Sequence, residues 1–136
     1  MARTFLSLIA LGLLGIALMT SHRSGESTAA EPAAKVLRHV VMYKFKDDLK
    51  PGEVQQVVDA FAGLPRKIDT IIGFEHGTNV SAEGKSEGFT HVFVVTFRDE
   101  KGRDAYLVHP AHADYVNVVK GRREKVVVFD YWTAPQ

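Results

Sequence analysis

Apolar and polar positions alternate with period two from Arg38 to Lys46, where His39, Val41, Tyr43 and Phe45 interleave with Arg38, Val40, Met42 and Lys44. β-Branched and aromatic residues at that period predict a strand, which Asp47-Asp48 ends. The period then changes. Val54, Val57, Val58, Phe61 and Leu64 recur at helical spacing, with Gln55, Gln56 and Asp59 on other faces. Pro51 and Glu53 are helix-start signals, and Pro65 stops the helix. Ile71 to Val80 predicts a second strand, weakened by Gly73 and Gly77, and Ser81 to Gly88 a polar turn. Phe89 to Phe97 is the strongest strand pattern in the chain, with Val92 to Val95 at its centre. Asp99 can cap a short helix through Leu107, and Pro110 opens another that runs to about Lys120. Val126 to Trp132 is the last strand. The element order is β-α-β-β-α-β, the ferredoxin-like arrangement of an α+β domain with an antiparallel sheet.

Such a domain covers one face of its sheet with helices, yet both parities of the third strand are apolar. Val92 and Val94 lie on one, Phe89, Phe93, Val95 and Phe97 on the other. A sheet that is hydrophobic on two faces needs a second cover, and another copy of itself is the simplest one. A homodimer, closing as a dimeric α+β barrel, is therefore expected.

The chain has 136 residues, room for one domain after a leader. Arg3 precedes a fifteen-residue apolar run, Phe5 to Met19, and Thr28-Ala29-Ala30 offers small residues for cleavage. That layout predicts a signal peptide over residues 1–30, a linker over 31–36 and a domain over 37–133, with export to the periplasm or medium. The run is short of the roughly 20 residues of a spanning helix, so an uncleaved anchor is the only membrane alternative. No cysteine occurs, which removes disulfides, thiol nucleophiles and lipid attachment through cysteine. Loss of Arg3 and Arg23 takes the 17 basic residues to 15, and loss of Glu26 takes the 16 acidic ones to 15. A neutral domain argues against nucleic acid as partner. The basic cluster Lys120 to Lys125 is expected to be a solvated helix end.

Candidate chemistry concentrates in Tyr106-Leu107-Val108-His109-Pro110-Ala111-His112. A histidine titrating near neutrality beside a phenol that stays protonated can take a proton from carbon and hold the resulting oxyanion. The strand order 4-1-3-2 sets the first and third strands side by side. Taken as parallel, they put His39 and His91 at the same end of the sheet and predict one cavity shared with Tyr106 and His112. Asp130, on the last strand beside the first, is placed to orient His39. His109 and His112 are three apart, a workable zinc spacing on a helix, but Pro110 puts His109 at the cap and no cysteine joins them. We expect no metal and no cofactor. No glycine-rich loop opens a helix after a strand, and no serine elbow is present.

From Leu37 to Trp132 the chain resembles the stress-responsive α/β barrel (Dabb) family. The likeness is carried by Arg38 to Lys46, Gly77-Thr78-Asn79-Val80, Phe89-Thr90-His91-Val92 with Thr96-Phe97, Tyr106 to His112, and Val128-Phe129-Asp130-Tyr131. The resemblance implies a ferredoxin-like domain that dimerises sheet to sheet. Its polyketide-cyclising members work without a cofactor, and their catalytic tyrosine and histidine match Tyr106 and His112. Two further pocket histidines match His39 and His91. Phe61 stands where such a cyclase has a pocket tyrosine, and His76 where it has a tryptophan, so the substrate is expected to differ. Three functions follow: a small-molecule pocket with acid/base, cyclase-like chemistry on a carbonyl; a stress-related protein that only binds or supports; or a cofactor-free oxygenase. A continuous cavity lined by Tyr106 and His112 would favour the first or third, and a filled core the second.

Overall fold

The first strand, β1 (Leu37–Phe45), buries Leu37, His39, Val41, Tyr43 and Phe45 and half-buries the residues between them, as the alternation predicts. The structure is a computed structural model that describes residues 34–133. The signal-peptide expectation for residues 1–30 lies outside the described residues. Helix α1 (Pro51–Ala62) starts where Glu53 reaches back to accept a hydrogen bond from the Lys50 amide at 3.0 Å. It buries Val57, Val58 and Phe61, and Pro65 falls in a 3-10 turn, Leu64–Arg66. Strands β2 (Gly73–Thr78) and β3 (His91–Phe97) are shorter than their apolar patterns suggest, because the paired segment ends where the glycine-rich turn begins. In that turn Gly88 has φ +81°, and a Cβ there would sit 2.9 Å from the Lys44 side chain, so only glycine fits.

Asp99 caps α2 (Glu100–Leu107), accepting from the Gly102 amide at 2.8 Å. Helix α3 (Pro110–Val119) follows after two residues. Strand β4 (Arg123–Trp132) begins three residues before its apolar run. The basic cluster therefore spans the turn after α3 and the start of β4, where Lys44 pairs with Glu124 at 2.9 Å across the strands. Charges are tolerated at the start of an edge strand, whose outer side faces water.

The sheet order is β2-β3-β1-β4 and every pair is antiparallel. This confirms the ferredoxin-like α+β fold and corrects one expectation: β1 and β3 are neighbours but run in opposite directions. The reason is topological. The crossover through α1 returns β2 parallel to β1, and the hairpin that follows turns β3 back between them. His39 is opposite Val95 and His91 is opposite Tyr43. The two histidines thus lie on the same face but at opposite ends, four residues or about 13 Å apart along β1.

The helix-covered face holds the core. Phe61 stacks on Phe93 at 4.5 Å and on Tyr115 at 4.4 Å between ring centroids. The opposite face carries Val40, Met42, Val92, Val94, Val127 and Phe129, with no helix over it among the described residues, and Phe129 is 61% exposed.

Candidate active site: a phenol, two imidazoles and a partly exposed ion pair

The two-residue break between α2 and α3 builds this end of the molecule. At the break, the His109 ring nitrogen Nδ1 accepts from the Ala111 amide at 3.1 Å, so His109 is the cap of α3, as Pro110 suggested. In the first turn of α3, the His112 Nδ1–H donates to the Leu107 carbonyl, the last residue of α2, at 3.1 Å. That bond fixes the neutral tautomer and leaves Nε2 with its lone pair. The Tyr106 ring lies 4.4 Å from the His112 ring, centroid to centroid.

Behind this pair stands His39, 5% exposed, with its ring edge-on to Tyr106 at 5.7 Å and to Phe97 at 6.3 Å. Its Nδ1–H donates to Asp130 Oδ1 at 2.7 Å, and the other carboxylate oxygen accepts from Arg103 Nη1 at 2.8 Å. The register explains the first contact, since β1 and β4 set His39 and Asp130 directly opposite each other. Asp130 therefore orients His39, by a hydrogen bond as well as by proximity.

Burial shapes the protonation of the pair. It lowers the His112 pKa below the usual imidazole value; the Leu107 carbonyl opposes this and the nearby His39 adds to it. At neutral pH His112 is the uncharged base. Burial pushes the Tyr106 phenol well above its ordinary value, with the Tyr43 hydroxyl adding to the effect, so Tyr106 is a donor at every pH near neutrality. Below them, the Tyr43 and Tyr115 hydroxyls share a hydrogen bond of 2.6 Å.

The fourth expected pocket residue is elsewhere. His91 packs edge-on against Phe45 at 5.0 Å and its Nδ1 shares a 2.9 Å hydrogen bond with Thr90 Oγ1. Burial, then the neighbouring His76, lowers its pKa. The Phe61–Phe93–Tyr115 stack separates it from Tyr106, so the four residues do not line one cavity. Phe61 itself belongs to that stack, 1% exposed. The best-formed cleft of the described residues, about 560 Å³, is lined by Met42, Asn79, Lys85, Phe89, His91 and Val92, at the hairpin end. It includes neither Tyr106 nor His112. Phe97, His39 and His112 pack around the Tyr106 ring, which is 1% exposed.

Arg103 was not apparent from the sequence. The available signal was its place three residues before Tyr106, one turn back on the same helix face. The Tyr43–Tyr115 pair was equally hidden, since both residues fit the apolar pattern.

A ferredoxin-like α+β domain with an acid/base cluster between its sheet and the α2–α3 break defines the class of protein. Residues 37–133 match the stress responsive A/B barrel domain, and the chain belongs to that family. A stress-response A/B barrel domain-containing protein of Arabidopsis thaliana, HS1, is 33% identical over 101 residues, covering 74% of this chain and 93% of the relative. Olivetolic acid cyclase of Cannabis sativa is 30% identical over 95 residues, covering 70% and 94%. Among solved structures, a dimeric ferredoxin-like protein of unknown function from Jannaschia sp. CCS1 superposes with a TM-score of 0.60 at 31% identity, covering 71% of this chain and 97% of that one.

Proposed function

We propose that this is an exported, homodimeric domain that performs cofactor-free acid/base chemistry, of cyclase or lyase type, on a small carbonyl compound. The observation that carries the reading is the pairing of Tyr106 with His112, whose Nδ1 is committed to Leu107 so that Nε2 is free to act as a base. His112 takes a proton from the carbon next to a carbonyl. As negative charge gathers on the oxygen, the Tyr106 hydroxyl donates a hydrogen bond to it; the enolate carbon then attacks a second carbonyl of the same molecule, and the alkoxide formed takes the proton back from the His112 imidazolium. His39, held by Asp130, supplies the polar wall. The 30% identity to olivetolic acid cyclase supports the same class of reaction. Phe61, in place of a pocket tyrosine, leaves an apolar wall and a different substrate.

The test is hydrogen–deuterium exchange next to the carbonyl of linear poly-β-carbonyl compounds, followed by mass spectrometry with the full chain. His112→Ala and Tyr106→Phe should each slow exchange about 10²- to 10⁴-fold. Unchanged exchange in both variants would defeat the reading.

A non-catalytic, ligand-binding role is favoured by one observation, that the cleft of about 560 Å³ lies at the hairpin end and includes neither Tyr106 nor His112. It predicts ligand-induced stabilisation without turnover. Homodimer formation rests on the uncovered apolar face and on dimeric relatives such as the Jannaschia protein. Sedimentation checks it: Phe129→Glu should give a monomer where the parent gives a dimer. Mass spectrometry of the exported product tests removal of residues 1–30.

A further inference from the structure

Arg103 is part of α2 and the carboxylate it holds is on β4, the strand the helices leave uncovered. Each nitrogen of its guanidinium donates once: Nη1 to Asp130 at 2.8 Å, and Nε and Nη2 to Asp104, at 3.0 and 2.8 Å. The Arg103 and Asp130 side chains are 22% and 27% exposed, so the pair is screened only in part. Asp130 is bound on both oxygens, one by Arg103 and one by His39.

A carboxylate hydrogen-bonded to an imidazole does two things. It fixes the tautomer, which an acid/base site needs. It also attracts a proton to the ring, which would turn Nε2 from an acceptor into a donor. The charged groups facing His39 decide between these. From β4 comes Asp130, from α2 come Arg103, with Asp104 on its guanidinium, and the neutral Tyr106, from α3 comes His112, and β3 contributes only the apolar Val95 and Phe97. Arg103 is the one permanent cation in this set, and it sits on the far side of the carboxylate.

We infer that Arg103 is a positioning residue that offsets part of the charge of Asp130 and so weakens the carboxylate's pull on a proton at His39 while leaving its hydrogen bond to the ring in place. The inference deepens the proposed acid/base reading and rests on it for its meaning, but its test does not involve turnover. Because Arg103 is one turn from Tyr106, the same contact holds the phenol-bearing helix over the His39–Asp130 pair.

The experiment is an NMR titration of the full chain carrying ¹⁵N-labelled histidine, following the His39 ring nitrogens. Arg103→Gln should move the His39 protonation midpoint upward by about one unit, since the carboxylate is left uncompensated. Arg103→Lys keeps the positive charge and should return most of that shift. Asp130→Asn, nearly the same shape, should move the midpoint downward. Opposite displacements from the two members of one ion pair are the signature of charge compensation, which a purely structural tether would not produce. An unmoved or lowered midpoint in Arg103→Gln would overturn the inference. If that variant does not fold, an unmoved or raised midpoint in Asp130→Asn overturns it instead. Loss of exchange chemistry in the parent would sink the proposed function and leave these shifts intact.

Discussion

The helix-covered face of the sheet has a histidine at each end, and the two ends differ in what surrounds it. His39 is opposite Asp130, which is backed by Arg103, and has Tyr106 and His112 within ring contact distance or one ring beyond. His91 has a threonine hydroxyl, the edge of Phe45 and another histidine that opposes its charging. Burial lowers the pKa at the second end too, so a perturbed imidazole is not what separates them. The separation is by partners. One end has an imidazole, a phenol and a carboxylate paired with an arginine within a few ångströms. The other has an imidazole bonded to a threonine hydroxyl and, among the described residues, no phenol beside it in ring contact other than that of the core.

The largest expected effect is kinetic. With a carbonyl substrate, His91→Ala should leave turnover within a few-fold of the parent, against the 10²- to 10⁴-fold loss expected for His112→Ala. A comparable loss in His91→Ala would erase the distinction between the ends. The next effect is on stability. Phe61→Ala removes the ring that stacks on both Phe93 and Tyr115, and should cost about 3–5 kcal/mol in denaturant unfolding. If the loss is under about 1 kcal/mol, the barrier between the ends is not the packed wall described above.

pH sharpens the comparison further. The acid limb of turnover should lie below the ordinary imidazole value of about 6.5, because His112 must be neutral to act and its pKa is lowered. Stability has the same sign at both ends. A histidine with a lowered folded-state pKa has no effect above its unfolded value and destabilises as pH falls from there through the folded value. His91→Gln should therefore flatten the acid loss of stability slightly while the acid limb of turnover stays where it is, a difference urea titrations at pH 7 and pH 5 can measure.

The order of elements was legible in the chain, as were the caps at Asp99 and His109 and the contact between His39 and Asp130. Each depends on neighbours in sequence or on directly opposed strand positions. The direction of β3 was misread, and His91 with it, because the face a residue points to follows from parity whereas the end it lies at depends on how the crossover and hairpin reverse the chain. The packing of rings around Tyr106 was also out of reach. Whether rings pack or leave a void depends on side-chain angles that spacing does not encode. Arg103 belongs to the same class, a charged residue whose partner is 27 positions away on another element.

The outer ends of β1 and β4 are tied to each other. Val36 and Thr133 exchange two hydrogen bonds, the Thr133 amide to the Val36 carbonyl at 2.9 Å and the Val36 amide to the Thr133 hydroxyl at 3.0 Å. The two ends of the domain thus meet at one corner, a few residues beyond His39 and Asp130. A short peptide could join them, with new termini opened in the exposed turn around Gly84, at the hairpin end of the sheet. In such a permuted chain β1 and β4 become a covalent hairpin, and the closing turn lies directly beside the His39–Asp130 pair.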